Sequence, residues 1–256
     1  MIKTAGLNTW IMPLHPKSAA PLRVFCFPYA GGGASSYRLW AQAFPGKAEV
    51  LAVQIPGREQ RLAEPAFTEL IPLVEQLAIE ISPWLDRPYL FFGHSMGAFI
   101  CFELARHLRR LGKPLPARLC VSGARAPHIP NPHPNIHQLS EAEFLYEIQH
   151  LEGTPPEVLQ NRELMQILLP PLRADFSVCE TYIYTADKPL ECPLSVFGGR
   201  QDPRVPYQHL IAWRQHTQNA FTLHMFPGGH FFLHSASRSI LDTLEQSIEA
   251  ALAQQD

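Results

Sequence analysis

Gly93-His94-Ser95-Met96-Gly97 narrows the folds open to this chain more than any other feature. Upstream, Pro88 to Phe92 is an apolar run that reads as a buried strand. Downstream, Met96 to Leu111 carries apolar residues at helical spacing and stops at Gly112, a residue suited to the left-handed position after a helix. A serine so flanked sits on a sharp strand-to-helix turn. The turn strains the serine backbone, and neighbouring chain comes too close for side chains at 93 and 97. In return the hydroxyl is exposed at a helix N-terminus, where free N–H groups and the helix dipole favour developing negative charge.

The rest of the chain repeats the strand–helix alternation. Leu22 to Phe27 and Val50 to Gln54 read as strands, and Leu119 to Val121 as another. Leu70, Ile71, Leu73, Val74, Leu77, Ala78 and Ile81 recur at helical spacing, with Glu69, Glu75 and Glu80 opposite. Near-continuous apolar strands alternating with helices predict an α/β protein whose mostly parallel sheet is covered on both faces. The pattern breaks from about Arg125 to Lys188. Pro127, Pro130, Pro132 and Pro134 mark a loop. Ser140-Glu141-Ala142-Glu143 is a capping box opening a helix, Leu151 to Pro156 is another loop, and Glu163 to Leu169 a second short helix. The sheet resumes with Leu194 to Phe197 and Phe221 to Phe226, with a helix near Tyr207 to His216 between them and a last helix from Ser237. At 256 residues the chain reads as one domain, 1–256, with a helical insertion at about 125–188.

A serine hydroxyl needs a base, and the expected chain order is Ser, then Asp or Glu, then His. Phe197-Gly198-Gly199-Arg200-Gln201-Asp202 places an acid just after a strand, and Phe226-Pro227-Gly228-Gly229-His230 places a histidine after the final one. Both fall at the sheet edge that carries Ser95, where open α/β sheets hold their sites. His230 is therefore the expected base and Asp202 its orienting partner. His94 and His234 compete with His230, and Asp175 and Asp187 with Asp202, each less well placed. An oxyanion hole needs two backbone donors: Met96 N–H, and one from the loop Tyr29-Ala30-Gly31-Gly32-Gly33, either Ala30 or Gly31. That glycine run lacks the G-K-[ST] ending of a phosphate loop.

Other classes are disfavoured. A net charge of −2 argues against a broad nucleic-acid surface, and no run approaches the ~18 apolar residues of a membrane span. Lys3 is followed by a stretch too polar, and too broken by Asn8, Pro13 and Pro16, for a secretory leader. Five scattered cysteines without a C-x-x-C pair read as reduced thiols in a cytoplasmic protein. His128, His133 and His137 lie in a proline-rich loop without the helical spacing of a metal site, so no metal and no cofactor are expected. Arg58 and Arg61 fit either an anionic partner or a salt-bridged turn.

With these residues in hand, the chain resembles the stand-alone type II thioesterases of nonribosomal peptide and polyketide assembly lines, members of the α/β-hydrolase superfamily. The likeness rests on Phe27-Pro28-Tyr29-Ala30-Gly31-Gly32, Pro56-Gly57-Arg58-Glu59, Gly93-His94-Ser95-Met96-Gly97, Leu172-Arg173-Ala174-Asp175-Phe176 and Gly228-Gly229-His230-Phe231-Phe232. It departs at Arg200-Gln201-Asp202, where the family more often has a second acid near the aspartate. The resemblance implies hydrolysis of acyl groups from the phosphopantetheine arm of carrier proteins. It also implies a lid formed by the insertion, a tunnel for arm and acyl chain, and acidic carrier domains as partners; nothing in the sequence suggests more than a monomer. Medium-chain fatty acyl release, a general carboxylesterase and a non-catalytic binding protein are the alternatives.

Overall fold

The computed structural model describes residues 9–15, 19–151, 153 and 156–253. Lys3, Asn8 and Pro16, on which the leader reading rests, lie outside them, as does half of the Leu151 to Pro156 loop. The described residues form a seven-stranded sheet: β1 (Ile11–Pro13), β2 (Leu22–Phe27), β3 (Ala48–Val53), β4 (Tyr89–His94), β5 (Arg118–Ser122), β6 (Leu194–Gly199) and β7 (Phe221–Phe226), in the order β1-β3-β2-β4-β5-β6-β7. All neighbours are parallel except β1, which pairs antiparallel with β3. The alternation in sequence misses β1, because three residues carry no legible period.

Around the sheet lie α1 (Leu70–Ile81), α2 (Met96–Arg110), α3 (Glu141–His150), α4 (Pro156–Gln160), α5 (Arg162–Glu180), α6 (Tyr207–Ile211), α7 (Phe232–Ser235) and α8 (Ser237–Leu252). Alternate strand residues feed opposite faces, as a two-residue period demands. Phe25, Phe27 and Phe91 pack with Leu73, Leu77 and Leu104 of α1 and α2. Val24, Cys26 and Phe92 pack with Ile240, Leu244 and Ile248 of α8. Strands buried on both faces explain why they read as continuous apolar runs.

Between β5 and β6 the chain builds α3, α4 and α5 around a small core of its own, made of Ile136, Phe144, Ile148, Met165, Leu169 and Leu172. The Ser140–Glu143 capping box forms as expected. The helix expected to end at Leu169 instead runs through Pro170 and Pro171 to Glu180. A proline inside a helix costs ~3 kcal/mol, so local propensity stops the helix where tertiary contacts do not. Leu172, Asp175 and Val178, buried on the far side of the prolines, supply those contacts. The helix expected near Tyr207 to His216 is α6 followed by a 3-10 turn over Ala212–His216.

Candidate active site

β4 runs directly into Ser95, which caps α2 in a strained conformation, φ 53° and ψ −114°. A side chain at Gly93 would overlap the Gly97 carbonyl, and one at Gly97 would overlap the Phe27 carbonyl at the end of β2. Both glycines are thus required by backbone approaching backbone. Ser95 N–H donates to the Ser122 carbonyl at 2.8 Å, pinning the turn to the end of β5.

Two further loops reach the same edge. Asp202 follows β6 and His230 follows β7. They are drawn together where Gly199 lies too close to the Gly229 carbonyl to bear a side chain. His230 Nδ1 donates to Asp202 Oδ2 at 2.8 Å, and His230 Nε2 lies 3.1 Å from Ser95 Oγ. Because a carboxylate can only accept, the bond to Asp202 fixes the proton on Nδ1 and leaves Nε2 free to accept from the serine. The other carboxylate oxygen, Oδ1, accepts from the Arg204 N–H at 2.8 Å and the Val205 N–H at 3.3 Å. Those two amides fix the acid before it orients the base. No side-chain pattern announces them, so the sequence reading misses them.

The rival residues are engaged elsewhere. His94 is fully buried, its Nδ1 2.9 Å from Ser122 Oγ, and burial holds it well below the ordinary imidazole range. His234 lies on α7, 3.2 Å from the Tyr29 hydroxyl. Asp187 pairs with Arg109 at 2.8 Å. Asp175, on α5, receives both Arg58 Nη1 and Nη2 at 2.7 Å. Arg61 pairs with Glu64, donates to the Gln54 carbonyl and covers the Trp10 ring. Both Arg58 and Arg61 are therefore in internal ion pairs. His128 contacts His216 at 2.8 Å, and His137 pairs with Glu180. Among the described residues no group of three or more His, Cys, Asp or Glu side chains is placed to hold a metal ion. The five cysteines are free, and burial pushes Cys120, Cys179 and Cys192 up to about 12.

In the loop after β2, the two donor candidates that the sequence leaves open differ in their bonding. Tyr29 carbonyl accepts from Gly32 N–H at 2.9 Å, a turn with Gly31 at φ +78°. Gly31 N–H is taken by Asp175 Oδ2 at 2.7 Å. Among the described residues neither Ala30 N–H nor Met96 N–H has an acceptor. In the trans peptide joining Tyr29 to Ala30 the N–H points opposite to the carbonyl held inside the turn. Gly31 is thus occupied and Ala30 is available.

Ser95, His230 and Ala30 line a cavity of about 350 Å³. Insertion residues Ile148, Met165, Leu172 and Phe176 complete its wall, so it is largely apolar beside the reactive groups. Among the described residues no helix is long and apolar enough to cross a membrane.

Comparison with known proteins agrees with this geometry. Residues 22–248 match the thioesterase domain family. The chain is 47% identical over 247 residues to the gramicidin S biosynthesis protein GrsT of Aneurinibacillus migulanus, covering 96% of each chain. It is 32% identical over 227 residues to the medium-chain S-acyl fatty acid synthase thioesterase of Rattus norvegicus, covering 86% of this chain and 84% of that one. The solved type II thioesterase BorB from the borrelidin biosynthetic cluster superposes with a TM-score of 0.86 at 36% identity, over 93% of this chain and 97% of that one. A mostly parallel sheet with a serine at the strand-to-helix turn, and likeness across nearly the whole length, place the chain in the thioesterase-domain family of α/β-hydrolases, among its type II members.

Proposed function

We propose that this chain hydrolyses acyl groups from the phosphopantetheine arm of carrier proteins, clearing aberrant or stalled chains in nonribosomal peptide or polyketide synthesis. The observation that carries the reading is the unbroken line Ser95–His230–Asp202 opening onto an apolar, insertion-walled cavity. Ser95 Oγ attacks the thioester carbonyl as His230 Nε2 takes its proton, and Asp202 stabilises the imidazolium. The oxyanion is received by Met96 N–H and Ala30 N–H. The thiol leaves with the His230 proton, and water, activated by the same imidazole, releases the acid. A thiol leaving group with a pKa of ~8.5 needs less protonation than an alkoxide. No step calls for a metal or cofactor.

Release of medium-length fatty acyl chains is the second reading, favoured by the apolar wall of Ile148, Met165, Leu168 and Leu172. Comparing kcat/KM on acyl-carrier proteins, acyl-coenzyme A and nitrophenyl esters separates the readings. Acyl-carrier protein is expected to be preferred, and a clear preference for nitrophenyl esters would sink the proposal. A fluorophosphonate probe should add once, at Ser95, and not to Ser95→Ala. Absence of any adduct would favour a binding protein.

A further inference from the structure

Two sequence motifs that the triad does not use meet in the fold. Arg58, from the turn after β3, and Asp175, from the insertion helix α5, form a two-bond ion pair at 2.7 Å with both residues buried. Burying a charged pair is expensive, and an apolar pair of similar volume holds a core as well or better. Stability alone therefore does not account for these residues. Arg58 Nε and Nη2 also donate to the Pro56 carbonyl of their own turn at 3.4 Å, and the pair's other bonds go to the loop after β2. Asp175 Oδ2 also accepts from Gly31 N–H at 2.7 Å, and Arg58 Nη1 also donates to the Gly32 carbonyl at 3.1 Å. Just along the loop, Gln54 Oε1 accepts from Ala34 N–H at 2.8 Å while its amide donates to the Arg58 carbonyl. Leu172, one turn before Asp175, closes over Gly31.

We infer that Arg58 and Asp175 are positioning residues for the oxyanion loop, through which the insertion helix sets the direction of Ala30 N–H. Asp175 takes the Gly31 amide, which would otherwise compete for the substrate carbonyl, and Arg58 holds the next carbonyl. Of the Ala30, Gly31 and Gly32 amides, only that of Ala30 is left without an acceptor among the described residues. Seating of α5 and order in the oxyanion hole are then a single event. The inference rests on the acyl-transfer reading above, but not on the identity of the thioester.

The test compares wild type with Asp175→Asn, Arg58→Lys and the apolar double variant Arg58→Met/Asp175→Leu. Turnover, melting temperature and inhibition by two substrate analogues are measured. One analogue is a trifluoromethyl ketone, which forms an oxyanion on Ser95; the other is an unreactive thioether. Asp175→Asn and Arg58→Lys should lower kcat by about 10–10²-fold, the scale of a misplaced oxyanion donor, with KM within about twofold. The double variant should melt near the wild-type temperature and remain as slow. Ketone affinity should fall by the same factor as kcat/KM, and thioether affinity should not change. Recovery of turnover together with stability in the double variant, or unchanged ketone affinity, would overturn the inference. Arg58→Lys keeps the charge and the answer within reach if the others fail to fold. The same ratios are read on nitrophenyl esters, which need no carrier. A wild type silent on acyl-carrier protein would count against the substrate proposed above and leave these ratios to decide the positioning.

Discussion

At position 95 strain and chemistry share one residue. The positive φ that a serine tolerates poorly is the geometry that lifts its hydroxyl toward His230. The groups act as a unit, so changes should be large and non-additive. Asp202→Asn is expected to lower kcat about 10⁴-fold with little change in fold, because the amide no longer dictates the His230 tautomer. Steady-state kinetics beside a circular dichroism spectrum checks this; retained turnover would mean that the acid is elsewhere. Gly97→Ala should behave differently and fail to yield folded protein, since the new methyl would occupy the Phe27 carbonyl. A normal melting curve for that variant would contradict the packing described. These residues are legible in sequence because their constraint is local: five consecutive positions dictate one turn. The Asp175–Gly31 bond spans 144 positions, and nothing near either residue announces the other. For that reason sequence reasoning could not choose between Ala30 and Gly31.

Elements differ in how much of their stability is their own. α2 is buried along most of its length between sheet and neighbours. The insertion helices lean mainly on a six-residue core and on caps, and among the described residues only the C-terminal part of α5, through Val178, reaches the core under the sheet. Ser140→Ala, which removes the hydroxyl that accepts from Glu143 N–H and leaves the backbone N–H of position 140 to the Glu143 carboxylate, should destabilise α3 by ~1 kcal/mol. Hydrogen exchange should register that loss in residues 141–150 and not in the strands. In the wild type the same residues should exchange faster than β4 and β5; equal protection would argue against a mobile insertion. The period-two and period-3.6 patterns reveal these elements wherever burial is one-sided or complete. They fail at α5, where two prolines read as a stop and a buried carboxylate on the far side carries the helix onward.

For the whole molecule, histidines lowered by desolvation contribute to the response to acid, and of these His94 and His216 are buried. Burial, with His128 nearby, pushes His216 down to about 4, and burial lowers His94, His209, His224 and His234 as well. In the unfolded chain each takes up a proton near pH ~6.5. The folded state refuses it, so the unfolded state binds more protons and stability falls as pH drops. Full stability is expected above about pH 6.5, with a progressive loss toward pH 4. The urea midpoint measured from pH 7.5 to 4.5 should show that decline, with a shallower slope in His216→Gln. A flat profile would refute it. That the strands are mostly parallel and joined by crossovers is legible from strand–helix alternation, whereas their order across the sheet is set by long-range pairing and is not. The antiparallel margin is not legible either, because three residues can pair without a pattern of their own.

That margin has a consequence for colloidal behaviour. An open sheet edge offers a row of unpaired amides to any other chain, the usual seed of fibrils. Here the edge beside β3 is covered by a strand of three residues ending at Pro13, which has no N–H to donate. So short and interrupted a border gives an incoming strand little to zip against along that side.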